Sequence, residues 1–136
     1  MYSQWALSID DAKAIANACR ACAVQNNWNV VIAIVDDGGH TMYLERLDGT
    51  QKASSVVAQE KAKTALLFKR PTQAIEAVVA KGRNVMMMLP GATPIEGGLP
   101  LVRDGQFVGA IGISGVQSHE DGVVAAAGVA HFATLS

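Results

Sequence analysis

The stretch GGLPLVRDGQFVGAIGISG, Gly97 to Gly115, sets two apolar runs, Leu99–Val102 and Phe107–Ser114, on either side of Asp104-Gly105. An Asp-Gly pair tolerates the positive φ angles of a two-residue turn, so this spacing predicts a tight β-hairpin around which the remaining elements are organised. Side chains alternate along a strand. On the second strand Phe107, Ile111 and Ile113 are therefore expected on one face, with Val108, Ala110, Gly112 and Ser114 on the other. One face is bulky and the other nearly bare. A bare face admits close approach by a helix backbone, a neighbouring subunit or a flat ligand, and which of these fills it is the functional question.

The remainder of the chain bounds the answer. With 136 residues, 50% hydrophobic and 17% charged, it suits one core, so residues 1–136 are read as a single domain. The low charged fraction predicts that some apolar surface is covered in subunit contacts, which makes a homo-oligomer the expected state. Twelve acidic and 11 basic residues give a net charge of -1, and the bases are scattered, which excludes a nucleic-acid footprint. No apolar run approaches the roughly 20 residues that cross a bilayer. The opening MYSQWALSIDD lacks a basic region followed by an apolar signal core, so a cytoplasmic protein without a membrane partner is expected.

In chain order, Ser8 is a good helix N-cap, with Asp10 and Asp11 in the first turn, and Ala12, Ile15, Ala16, Cys19 and Ala23 recur at helical spacing up to Asn26-Asn27. Cys19-Arg20-Ala21-Cys22 lies inside this helix without the second ligand pair a zinc site requires, and reads as two small buried thiols; no metal site is expected. Val30–Val35 is an uninterrupted apolar run, a central strand covered on both faces. Asp36-Asp37-Gly38-Gly39 turns the chain into a second strand, His40–Arg46, with Thr41, Tyr43 and Glu45 on one side and His40, Met42, Leu44 and Arg46 on the other.

Lys52–Lys69 reads as a helix ended by Pro71. Within it Lys61 and Thr64 fall on the line of Val57 and Phe68, among apolar neighbours. Lys61 is thus either a functional cation or a lysine that runs along the core edge to a carboxylate. Thr72–Ala80 is a shorter helix closed by Lys81-Gly82. Met86-Met87-Met88 offers an adaptable apolar pocket, soft-metal thioethers or plain packing. Ser118 and Asp121 are spaced as a capping box ahead of a final helix, Gly122–Ala133, that is apolar nearly all round and contains His131.

The order helix, hairpin, helix, helix, hairpin, helix predicts an α+β fold with helices packed on an antiparallel sheet. The runs VVIAIVDDGGHTMYLERLDG (Val30 to Gly49), EKAKTALLFKRPT (Glu60 to Thr72) and GGLPLVRDGQFVGAIGISG followed by HEDGVVA closely resemble the GlcG/HbpS-like family, also called the haem-degrading domain family. The resemblance covers nearly the whole chain. It implies a profilin-like sheet-and-helix fold and an oligomer. Some members are similar to HbpS, a haem-binding octamer; others form the C-terminal part of PduO-type corrinoid adenosyltransferases or sit in small-acid and diol utilisation operons. The family's blocks fall on Asp36, Gly39, His40, Arg46, Asp48, Lys61, Thr64, Arg70, Thr72, Gly98, Pro100, Gly109, Gly112, Ser114, Gly115 and Asp121. The glycines read as turn and close-packing positions.

Three functions follow from these residues. The resemblance implies binding of haem or a related tetrapyrrole, which needs an apolar slot, an axial donor and cations for the propionates. His40, after a glycine turn at a strand start, is the preferred axial ligand, ahead of His119 and His131, and Arg46 or Lys61 meets the propionates. Ala23 follows Cys22 where covalent attachment requires histidine, so such a haem is exchangeable. Alternatively, Lys61 with Arg46, His40 and a carboxylate from Asp36 or Asp48 forms an anion clamp and acid–base pair for a small carboxylate or carbonyl metabolite. The third reading is a non-catalytic oligomeric accessory protein whose interface is the small-residue face and the last helix. Gly109, Gly112 and Gly115 recur every third residue without a βαβ unit or a following lysine, so they are not a nucleotide cradle. The chemistry is expected from the polar residues between Asp36 and Thr64.

Overall fold

A computed structural model describes residues 1–136. In chain order the elements are α1 (Ile9–Gln25), β1 (Val31–Val35), β2 (Thr41–Arg46), α2 (Ser54–Leu67), α3 (Thr72–Ala80), a 3-10 turn (Asn84–Met88), β3 (Gly98–Arg103), β4 (Gln106–Ser114) and α4 (Ser118–Phe132). The strands form an antiparallel four-stranded sheet of order β2-β1-β4-β3. This is the α+β arrangement the element order predicts.

β1 is central and every one of its residues is buried, because helices cover both faces of the sheet. On one face α1 and α4 enclose Ile32, Ile34, Leu101, Val108, Ile111 and Ile113 with Ile15, Ala16, Cys19 and Val124. Removing such a side chain from water contributes about 1.5–3 kcal/mol each, which makes this face the principal core. On the other face α2 lies over Val31, Ala33, Val35 and Ala110 through Ala58, Ala62 and Ala65.

The bare face of the hairpin is filled by the chain's own helix. Gly98 and Gly112 are cross-strand partners. A Cβ on Gly112 would stand 1.9 Å from the Ala58 carbonyl oxygen, and one on Gly98 2.3 Å from that of Lys61. Glycine is required there because the backbone of α2 rests directly on the sheet. The expectation that this face serves a subunit interface is thereby corrected: α2 covers it completely.

Two bulges change which residues share a face. Between β3 and β4 the register shifts at Leu101/Val102, so Val108 turns toward the α1–α4 core while Phe107 packs against the cluster beneath α2. The alternation expected from the sequence is reversed at these two residues and holds from Ala110 to Ser114. Between β1 and β2 the shift at Ile34/Val35 places Thr41 opposite Val35 and Tyr43 opposite Ile34. Thr41 consequently bonds to Gln59 of α2 at 2.9 Å, whereas Glu45 pairs with Arg20 of α1 at 3.4 Å. A bulge inserts one unpaired residue and resets the two-residue period.

α4 starts four residues earlier than the capping-box reading places it. Gln117 is the N-cap, its amide donating to Glu120 Oε1 at 3.2 Å. Asp121, expected as the cap acid, turns inward instead. α4 packs against α1 at Gly128, where a Cβ would meet Cys19 Sγ at 2.5 Å. No helix is long and apolar enough to cross a membrane.

Candidate functional site

The β1–β2 turn is built by Asp36. Its Oδ1 accepts hydrogen bonds from the amides of Gly38 and His40, each at 2.9 Å, an Asx turn that replaces backbone pairing with a side chain. Burial works against the Asp36 charge, but the two amides and the adjacent imidazole outweigh it and hold the carboxyl below the usual carboxylate range. His40 Nδ1 lies 3.4 Å from the same oxygen, and the imidazole is 83% exposed. An imidazole that engages a carboxylate through Nδ1 keeps Nε2 free for a ligand. Gly39, at φ +85°, seats the turn on Lys63, Leu66 and Leu67 of α2.

Beside this turn runs an open groove of about 450 Å³, walled by Asp37 from the turn, Leu66, Leu67 and Lys69 from the end of α2, Phe107 from β4, and Tyr2 and Gln4 from the N-terminal segment. Lys69 Nζ stands 5.5 Å from the centroid of the Phe107 ring, a cation–π contact that places the ammonium at the groove's rim. Lys69 takes a left-handed conformation, φ +55°, which stops α2 and swings its side chain out of the helical line.

The other sequence candidates lie elsewhere. Arg46 is exposed at the far end of β2, six residues from His40 and so about 20 Å along the strand. Asp48, also exposed, lines a separate depression with Arg20, Trp28, Asn29 and Leu47. Lys61 is buried at 2% exposure, donating to Asp121 Oδ2 and to the Ile113 carbonyl, each at 3.0 Å. Burial pushes the Asp121 carboxyl up, with Lys61 opposing it. Thr64 is buried as well; its hydroxyl donates to the Glu60 carbonyl at 2.7 Å and accepts from the Thr93 amide at 2.9 Å, tying down the loop before β3. The clamp of Lys61, Arg46 and His40 is therefore not assembled in this chain, and Lys61 takes the carboxylate-paired alternative.

His119 is exposed in the first turn of α4 and His131 half-buried in its last; neither lies on an element that lines the groove, whereas His40, itself outside the lining, shares the turn of Asp37. Met86, Met87 and Met88 sit on the 3-10 turn. Three residues per turn send successive side chains about 120° apart, so the thioethers do not converge on one ion. Cys19 is buried, Cys22 half-buried, and both are free thiols.

Lys69, Leu67, Phe107, Tyr2 and Gln4 escaped the sequence reading. Phe107 was hidden by the bulge, Lys69 by its left-handed backbone, and Tyr2 and Gln4 by lying outside every periodic segment. The one available signal was the Lys69-Arg70-Pro71 helix stop, in which Pro71 disfavours helical backbone at Arg70 and so ends α2 close to Lys69.

The fold, an antiparallel sheet between α1–α4 and α2, is shared with known proteins. The sequence profile of the family described as "Haem degrading protein HbpS-like" matches residues 7–130, and the chain belongs to that family. It is 44% identical over 108 residues to Protein GlcG of Escherichia coli K12, covering 79% of this chain and 81% of GlcG. The crystal structure of a PduOC:heme complex superposes with a TM-score of 0.85 at 30% identity, covering 93% of this chain and 95% of that one. A double mutant of HbpS from Streptomyces reticuli superposes with a TM-score of 0.87 at 29% identity, covering 96% and 89%. Haem binding is thus represented among the structural relatives.

Proposed function

We propose that this protein binds haem or a related tetrapyrrole in the groove beside the β1–β2 turn, with His40 as axial donor. The observation that carries the reading is the placement of His40: of the three histidines, it alone stands in the turn whose Asp37 lines the groove, exposed and backed by Asp36, although the groove's own lining does not include it. Leu66, Leu67, Phe107 and Tyr2 supply apolar contact, and Lys69 takes the propionate-facing role that the sequence assigned to Arg46 or Lys61. The lining offers apolar contact and a cation, and the axial donor that haem also requires would come from His40 in the adjoining turn. When bound, haem would supply an iron open to an imidazole donor; His40 would provide it, with Asp36 beside Nδ1 favouring the orientation that leaves Nε2 outward. The haem-bound relative supports the choice of ligand.

Haemin titration followed by the Soret band tests this. A shifted band at stoichiometric haemin, lost in His40→Ala and kept in His119→Ala and His131→Ala, is the expected result; an unshifted band in the unmodified protein overturns it.

Self-association belongs to the same reading. Val85, Met87 and Met88 are 59%, 54% and 78% exposed on one turn, in a chain with few charges, which supports a homo-oligomer. Sedimentation of a clean monomer contradicts it.

A further inference from the structure

Residues 2–7 cross the end of the sheet without a single main-chain to main-chain hydrogen bond. Side chains alone hold them. The Trp5 amide donates to Gln106 Oε1 at 2.9 Å, the Trp5 indole to Asp104 Oδ2 at 3.0 Å, and Gln106 Nε2 to the Ser3 carbonyl at 3.1 Å. The fourth bond runs from Gln4 Nε2 to Asp37 Oδ2. That bond joins two walls of the groove, since Gln4 and Asp37 both line it, and Tyr2 lies on the same wall as Gln4.

We infer that residues Tyr2–Trp5 are a detachable wall of the ligand groove, and that the Gln4–Asp37 bond is the clasp that governs entry. The inference rests on the groove being the ligand site, and it adds how the site is opened and which residues select what enters. The physical basis is a difference in anchoring. Leu66, Leu67 and Phe107 belong to α2 and β4, whose hydrogen-bond ladders and buried contacts open only with the fold. The strap is held by bonds at the surface, where water competes for each partner, so it opens locally at low cost. Tyr2 and Trp5 remain 85% and 54% exposed, so little burial resists its release. When the clasp parts, the wall carrying Tyr2 leaves and the groove, already open along one side, widens enough to admit a planar ligand edge-on; when it closes, Tyr2 returns against the bound ligand.

The test locks and loosens the clasp. Gln4→Cys with Asp37→Cys, oxidised, closes the strap; dithiothreitol releases it; Gln4→Ala loosens it permanently. Stopped-flow association is followed with haemin and, independently of haem chemistry, with the anionic aromatic dye 1-anilinonaphthalene-8-sulfonate. The expected result is association at least tenfold slower in the oxidised double variant, recovery on reduction, and association severalfold faster than the unmodified protein in Gln4→Ala. Dye and haemin rates that ignore both the lock and Gln4→Ala overturn the gate. A lock that slows the dye while haemin binds no form of the protein supports the gate and defeats the haem reading, so the two failures are distinct.

Discussion

Lys61 of α2 and Asp121 of α4 meet as an ion pair, Nζ to Oδ2 3.0 Å, with side chains 2% and 3% exposed. The pair joins helices that pack on opposite faces of the sheet. Lys61 also donates to the last residues of β4 through the Ile113 carbonyl at 3.0 Å, and Asp121 Oδ1 accepts from the Val116 amide at 3.2 Å. Gly97, at φ +131°, closes over the pair; a Cβ there would stand 2.9 Å from Nζ.

Removing one partner strands the other charge in the interior. Lys61→Met or Asp121→Leu alone is expected to cost about 3–5 kcal/mol. The double variant is expected to cost less than the sum, because no charge is left unpaired. Urea denaturation of the two single variants and the double variant measures the coupling; additive losses refute it.

Gly112→Ala is expected to lose at least about 3 kcal/mol, the upper end of ordinary overpacking, because the added methyl meets the Ala58 carbonyl oxygen at 1.9 Å and a helix backbone yields less than a side chain. Thermal unfolding reports it. A variant as stable as the parent contradicts the seating of α2 on the sheet.

The acid response carries two opposing contributions. Asp36 titrates lower in the fold than in the unfolded chain, so its stabilisation is present above the unfolded value of about 3.9 and is lost as pH falls through the folded one. Asp121 titrates higher in the fold, so its contribution is full below about 3.9 and is lost as pH rises through the folded value. Asp36→Asn is therefore expected to flatten the loss of stability below about pH 4, measured as urea midpoints against pH, whereas Asp121→Asn is not.

Burial, reinforced by the neighbouring Cys22, pushes the Cys19 thiol up to about 12. Only the thiolate attacks disulfide reagents. Folded protein at pH 8 is expected to show one reactive thiol, Cys22, with Ellman's reagent, and two in urea. Because the folded value is raised, the stability linked to Cys19 is full below about 8.5 and is lost as pH climbs from there toward 12.

Elements whose signals are local were legible. Ser8 caps α1, its Oγ accepting the Asp11 amide at 3.0 Å, as residue types alone required. Asp104-Gly105 makes the hairpin turn with φ of +52° and +74°. Lys61 stood out because a charge on an apolar line of a helix needs a partner, but its carboxylate lies 60 residues away and was assigned instead to a helix cap. The candidate site was legible at Asp36 and His40, where one turn carries both groups. Its groove was not, since Tyr2, Leu67, Lys69 and Phe107 meet only after α2 has folded over the sheet.

The sequence by itself determined the elements, their order, the α+β class and the near-bare face of β4, because helical and strand periods, caps and turns are properties of neighbouring residues. Only the tertiary structure decided that α2 fills that face, that Phe107 turns toward α2 and Val108 away from it, and that Lys61 answers Asp121 rather than a ligand. Bulges and buried pairs arise between segments far apart in the chain, where packing and desolvation, not local preference, select the partner.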